Sequence, residues 1–221
     1  MLTKYGTDVL VRYFVIVVVL TIGVWLLTGD AIIRYGWTAL AVIITLFVLN
    51  FFRDPERTVP EGDRIVISPC DGKVVLIRDL KETEYLGQDA VQISVFMSPL
   101  DVHVNRFPVS GIVGHYRYIP GKFIPAFEEK SSELNERTHI GVEDDGYKVL
   151  FKQIAGTIAR RIVADVKIGQ QVKRGERFGM IKFGSRVDVI VPKHSRIDVR
   201  INDRVVAGET VLAAYASSSL Q

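Results

Sequence analysis

A single cysteine, Cys70, stands in the 221 residues, so no internal disulfide can brace the fold and a reducing compartment suits it. Excess charge of one sign is also scarce. The formal net charge is +3, too small for a dedicated nucleic-acid binder, which concentrates positive charge on one face. The four histidines are scattered and, with one cysteine, form no ligand spacing, so no metal site is expected. In two stretches charge is missing altogether: Tyr13 to Leu27 and Trp37 to Phe52. Each falls slightly short of the ~20 residues that cross a bilayer as a helix, but Val9–Val11 and Ala31–Ile33 extend them, each across one arginine. No small-residue cleavage site follows the first run, and a second run comes at once, so a signal peptide fits badly. The expectation is an N-terminal helical membrane hairpin. Lys4 and Arg12 precede it and Arg53 and Arg57 follow it, against Arg34 beside Asp30 in the connection. That bias puts both ends on the cytoplasmic side of the cell membrane, with a shallow re-entrant hairpin as the alternative.

Beyond the hairpin the pattern changes. Arg53 to Pro60 holds two prolines among mixed charges and reads as a linker, giving an anchor over 1–58 and a second domain over 59–221. In that domain 64–68, 73–78, 90–97, 111–119, 147–156, 186–192 and 197–202 are short segments rich in valine and isoleucine. Turn pairs such as Asp71-Gly72, Pro120-Gly121 and Asp145-Gly146 separate them. Alternation and turn spacing predict a mainly β domain. An internal echo, I-x-x-x-V-x-x-G-E, begins at Ile168 and again at Ile201. Such strand–turn–strand units occur in swapped-hairpin folds of the biotinyl and lipoyl type.

Five strings carry a family resemblance: FFRDPER at 51–57, SPCDGKV at 68–74, FMSPLDVHVNRFPVSG at 96–111, NERTH at 135–139 and ERFGMIKFGSRVD at 176–188. In this order they resemble the phosphatidylserine decarboxylases, most of all the short, hairpin-anchored branch. The resemblance spans about 51 to 214. It implies conversion of phosphatidylserine to phosphatidylethanolamine and CO2, with a protein-bound pyruvoyl group as the electron sink that lets a carboxylate leave. It also implies that this group is made from Ser185, whose hydroxyl attacks the Gly184 carbonyl and splits the chain into 1–184 and 185–221. Gly184 suits that role because a residue without Cβ leaves its carbonyl open.

A serine needs a base, and a histidine held by a carboxylate serves best. The resemblance assigns Asp71 as the carboxylate and His103 as the histidine. Longer relatives carry a second histidine where Arg106 stands, so either His103 takes over both proton transfers or Arg106 changes their division, and His103 is the expected base. His139 is open to either a functional or a structural reading, whereas His115 and His194 read as structural. A substrate with a phosphate and a carboxylate calls for cations, and Arg106, Arg137 and Lys122 lie in or near the matched strings. A homodimer of cleaved protomers is compatible with all of this. Three rivals stand beside it. One is a membrane-tethered carrier or adaptor with Lys182 modified in a Met-Ile-Lys-Phe turn. Another is the same chemistry on archaetidylserine, and a third is a decarboxylase of soluble substrates.

Overall fold

The computed structural model describes residues 1–124, 134–156, 161–182 and 185–215, with the backbone alone at Ser185. Its contacts divide into two compact units, Met1–Pro55 and Glu56–Gln221. The division falls three residues before the expected boundary of 58. Arg57 and Thr58 belong to the second unit because both are bonded into it: Arg57 Nη2 donates to Asp71, and Thr58 N–H donates to Glu209 Oε1 at 3.1 Å.

The first unit is a pair of helices, α1 (Thr7–Leu27) and α2 (Ala31–Phe51), each of 21 residues. The extension across Arg12 and Arg34 thus occurs, and each helix reaches ~30 Å, the thickness of a hydrocarbon core. Asp30 caps α2, its carboxylate accepting from Ile32 N–H at 2.7 Å and Ile33 N–H at 3.4 Å. The helices are joined by polar contacts on their facing sides: Tyr13 Oη with Thr45 Oγ1 at 2.8 Å, Trp37 Nε1 to Thr21 Oγ1 at 3.0 Å and Trp25 Nε1 to Thr38 Oγ1 at 3.2 Å. Apolar residues such as Val15, Val19, Ile43 and Leu46 are exposed. Both helices are long and apolar enough to cross a membrane, and outward apolar faces with inward hydroxyls suit a lipid environment.

Among the described residues the second unit holds fourteen strands. Eight form one sheet in the order β13 (Arg204–Val205), β2 (Gly72–Glu82), β3 (Gln88–Met97), β11 (Ser185–Pro192), β7 (Tyr147–Ala155), β6 (Arg137–Asp144), β5 (Gly111–Ile119) and β9 (Gln171–Val172). Two small sheets complete it: β4 (Val104–Arg106), β10 (Arg177–Lys182) and β8 (Arg161–Ala164), then β1 (Ile65–Ile67), β14 (Val211–Ala214) and β12 (Arg196–Ile197). Period-two alternation sends Val91, Ile93, Val95, Val187, Val189, Val191, Val149, Phe151, Ile140 and Val142 into one core with Phe107 and Phe178. The mainly β reading of the sequence holds.

The echo at Ile168 and Ile201 has a structural counterpart. The two copies supply β9 and β13, the two outer strands of the eight-stranded sheet. Their partners repeat as well. Gly175 N–H donates to Phe107 O, and Gly208 N–H donates to Ser68 O, both at 2.9 Å. Ser68 to Val74 and Phe107 to Val113 thus occupy matching places, each reading x-Pro-x-x-Gly-x-Val. Gly72 at φ 153° and Gly111 at φ 139° hold matching turns, and a Cβ on either would strike a backbone oxygen of the next strand, at 2.2 and 2.3 Å. In one half the residue before this glycine is Asp71, accepting from Ala207 N–H at 2.8 Å. In the other it is Ser110, accepting from Arg174 N–H at 3.0 Å.

Candidate functional site

Ser185 is the first residue of β11, a central strand. Its backbone is in register with Met97 at the end of β3 and Ala155 at the end of β7. The preceding strand β10 belongs to another sheet, and its last residue, Lys182, pairs with Arg161 of β8. β10 thus ends in one sheet at Lys182, and β11 begins in the other at Ser185. Gly184, the other half of the expected cleavage site, lies outside the described residues.

The segment after β3 joins the same two sheets. The chain leaves β3 at Met97, opposite Ser185, and comes to His103, whose carbonyl accepts from Ile181 N–H at 3.4 Å. The loop 98–102 thus bridges the sheet of β11 and the sheet of β10, and His103 sits at its end. The histidine is fully buried. Its Nδ1 lies 2.9 Å from the carbonyl oxygen of Asp101. A carbonyl only accepts, so Nδ1 carries the proton and neutral His103 keeps its lone pair on Nε2. Asp101 shapes the loop through its side chain as well, with Oδ2 accepting from Ser98 N–H at 2.8 Å. This orienting role of Asp101 was missed in the sequence, because a backbone carbonyl carries no residue-type signal.

Asp71 occupies the turn into β2, at the same end of the sheet, where Lys73 pairs with Phe96. Among the described hydrogen bonds its carboxylate is held by Arg57 Nη2, at 2.8 and 3.0 Å, and by Ala207 N–H. Among the described hydrogen bonds the His103 ring meets Asp101 O, while the Asp71 carboxylate, expected to orient the histidine, meets Arg57 and Ala207. Burial pushes the Asp71 carboxyl above its ordinary range, opposed by the Ala207 N–H and by Arg57. Arg57 was read as linker, yet it neutralises this carboxylate, and Gly208 provides the room: a Cβ there would meet Arg106 Cδ at 3.0 Å and Arg57 Cβ at 3.3 Å.

The three expected cations separate. Arg106 is buried in β4 and gives Nη1 to Gly175 O at 2.9 Å. Arg137 is half-buried at the start of β6, with Nη1 on Asn135 O at 3.0 Å. Lys122 is exposed and bridges to Asn135 through its backbone. Arg137 and Lys122 thus share the sheet end where Ser185 lies, while Arg106 is bonded to Gly175 O and in register with Arg177, at the other end of β10 from Lys182.

Buried amides brace this end. Asn135 Nδ2 donates to Ala155 O at 2.7 Å and to Ile124 O at 2.8 Å, fixing the residue opposite Ser185. Gln153 Nε2 donates to Asn105 Oδ1, and Thr138 Oγ1 donates to Gln153 Oε1, both at 2.8 Å. On the other face Arg186 and Asp188 form a fully buried pair at 2.6 Å, with Arg186 Nη2 reaching Ser94 Oγ at 2.7 Å. Neither cluster was singled out from the sequence. Asn135 lies in the NERTH string and Arg186 and Asp188 in the GSRVD string, which was the available signal.

His139 is buried, with Nδ1 on Glu84 Oε2 at 2.6 Å. Burial and the nearby Lys152 hold its pKa down to about 4. His115 shares Glu84 through Nε2 at 3.2 Å. Both serve the segment 82–87 that folds over the sheet's outer face, where Glu82 accepts from the N–H groups of Glu84, Tyr85 and Leu86. Lys182 is buried in a paired strand. A carrier lysine must stand exposed at a turn to receive its prosthetic group, so the carrier reading is excluded. Among the described residues no group of three or more His, Cys, Asp or Glu could hold a metal.

Comparison with known proteins supplies the family. A model described as phosphatidylserine decarboxylase matches residues 44–213. A protein of Chlorobium phaeobacteroides named phosphatidylserine decarboxylase proenzyme is 43% identical over 213 residues, covering 96% of this chain and 99% of its own. Proteins of the same name from Symbiobacterium thermophilum and Chlorobium luteolum are 47% and 49% identical, covering 80% and 79% of this chain and 83% and 82% of theirs. With the matched region running through the His103 loop and the β10–β11 passage, the chain belongs to the phosphatidylserine decarboxylase family.

Proposed function

We propose that this protein decarboxylates phosphatidylserine to phosphatidylethanolamine at a pyruvoyl group that it makes from its own Ser185. The observation that carries the reading is topological: the loop 98–102 runs from Met97, in register with Ser185, to His103, whose carbonyl accepts from Ile181 N–H near the end of β10. His103 Nε2 is the base that takes the Ser185 hydroxyl proton. The freed oxygen attacks the Gly184 carbonyl, and the amide becomes an ester. Loss of the Ser185 α-proton then expels the Gly184 carboxylate and leaves dehydroalanine, which takes up water, releases ammonia and becomes the pyruvoyl group.

The residues present fit such a group. Position 185 is pinned by β3 and β7 on both sides, and Asn135 holds the Ala155 carbonyl opposite it. When formed, the group supplies a carbonyl conjugated to an amide, able to accept the electrons that CO2 leaves behind. The chain's own task is then to hold the lipid headgroup. Arg137 and Lys122 attract its phosphate and carboxylate at the sheet end, and buried Arg106 adds positive potential. The apolar helices hold the protein in the cell membrane with both ends cytoplasmic, so the diacyl chains need not leave the bilayer.

Intact-mass measurement of purified protein beside Ser185→Ala tests this. The wild type should appear as two chains divided at Gly184–Ser185, the smaller beginning with a pyruvoyl group, and Ser185→Ala as one. An active wild type bearing ordinary serine at 185, or a divided Ser185→Ala, refutes the proposal. His103→Ala should remain undivided while staying folded.

A further inference from the structure

The register places Met97, Ser185, Ala155 and Arg137 along one edge of the large sheet, on neighbouring strands β3, β11, β7 and β6. Two exposed leucines flank that edge. Leu100, in the turn after β3, is 64% exposed, and Leu134, just before β6, is 43% exposed. Three strand spacings separate β3 from β6, so the pair stands roughly 14 Å apart astride the strand that begins at Ser185. Exposed cations stand beside them, with exposed Asp203 next to Arg204 accepting from Arg200 N–H at 2.7 Å. Lys73 pairs with Phe96 at the end of β3, Arg204 pairs with Lys73, and Lys122 bridges to Asn135. The nearest described carboxylates are already engaged, Asp71 by Arg57 and Asp101 by Arg204 at 3.4 Å. At the opposite end of β6 and β7 the turn is Asp144-Asp145-Gly146.

Exposed apolar side chains set among cations match the boundary between anionic headgroups and acyl chains. We propose that this edge of the β unit docks on an anionic bilayer, with Leu100 and Leu134 entering the headgroup boundary on either side of the Ser185 strand and Lys73, Lys122 and Arg204 meeting the lipid charge. The inference rests on the reading of Ser185 as the reacting position and adds a second membrane contact besides the helices. The substrate's headgroup then reaches the site while its chains stay in the bilayer.

A second exposed apolar pair, Ile112 and Ile168, provides an internal control. It lies where β5 meets the turn before β9, at the far end of β5 from Ile119. The full chain, reconstituted in phosphatidylcholine vesicles containing phosphatidylglycerol, is labelled with an environment-sensitive dye at Leu100→Cys, Leu134→Cys or Ile168→Cys; Cys70, fully buried, is left in place. Nitroxide lipids should quench the dyes at 100 and 134 strongly and the dye at 168 weakly. Equal quenching at the three positions, or the reverse order, overturns the docking. A Leu100→Ser, Leu134→Ser double variant should lose roughly tenfold, about 1.4 kcal/mol, in turnover of phosphatidylserine presented in vesicles, and keep its turnover of short-chain phosphatidylserine dispersed as monomers. Equal loss on both substrates, or none on either, also overturns it. Should wild type act on neither substrate, the decarboxylase reading fails, and the quenching still decides the docking.

Discussion

Cleavage before Ser185 would leave the piece 185–221 tied to the rest by non-covalent forces alone, and the structure sets how strong they are. The piece supplies β11, paired with β3 over Ser185–Pro192 and with β7 over Ser185–Ile190. It also supplies β13 beside β2 and β14 beside β1. Val187, Val189, Ile190, Val191 and Leu212 are fully buried, and Val205 and Val199 are nearly so, at 2% and 8% exposure. At ~1.5–3 kcal/mol for each such side chain, this burial amounts to roughly 10–20 kcal/mol. The strands uncovered on the larger piece add a similar amount, against an association cost of ~4–15 kcal/mol. The pieces should therefore stay together well below nanomolar concentration. The assay is size exclusion of matured protein in mild detergent at nanomolar concentration, followed by denaturing mass analysis of the peak. Both pieces should share one peak, and separating them should require denaturant. A small piece that elutes alone without denaturant would refute the reasoning. As a companion, the urea midpoint should rise with protein concentration for matured protein and not for Ser185→Ala, since only the former unfolds into two molecules.

Two further outcomes follow from the site. Asp71→Ser copies the matching turn at Ser110, so the Ala207 N–H keeps an acceptor and only the charge facing Arg57 is lost. Charge-assisted bonds contribute ~1.5–3 kcal/mol, so Tm should drop by several degrees at most while self-cleavage slows sharply; calorimetry beside a processing time course checks this, and a variant that matures at the normal rate removes Asp71 from the machinery. His139 gives a pH signature. Its folded pKa of about 4 lies below the ordinary 6.5, so the unfolded chain binds the proton first and stability falls as pH drops from 6.5 towards 4. The full loss is roughly 3 kcal/mol. Glu84, its carboxyl also held below the usual range with His139 and His115 as lowering causes against burial, adds a fall of the same sign in acid, and Lys152 and Arg137 keep the ring neutral. A pH series of Tm for wild type and His139→Gln should show the steeper acid fall in wild type; parallel curves would contradict the assignment.

Much of this molecule was legible in its sequence because its signals are local. Two uncharged runs gave the helices, and valine-rich alternation gave the strands. The echo at Ile168 and Ile201 proved to mark the two outer strands of one sheet, since a repeated turn recipe builds a repeated turn. The motif strings named His103 and Ser185 as candidates without saying where in the sheets they would lie. What stayed hidden depends on pairing across long separations. Arg57 reads as linker until Asp71 and Gly208 close around it. Asn135 reveals its hold on Ala155 only when β6 and β7 are side by side. The carbonyl of Asp101, which selects the tautomer of His103, could belong to any residue type.

The placement of β11 bears on what a break in the backbone exposes. Sheet rims with unmatched N–H and C=O groups invite stray chains to zip on, and here the outermost described strands, β13 and β9, are only two residues long, while β11 lies in the interior. A scission at the head of an interior strand frees a new amino end without baring a single ladder. A cut there would open no sticky margin in a crowded membrane plane, and the severed chain would stay as sociable, or as aloof, as its parent.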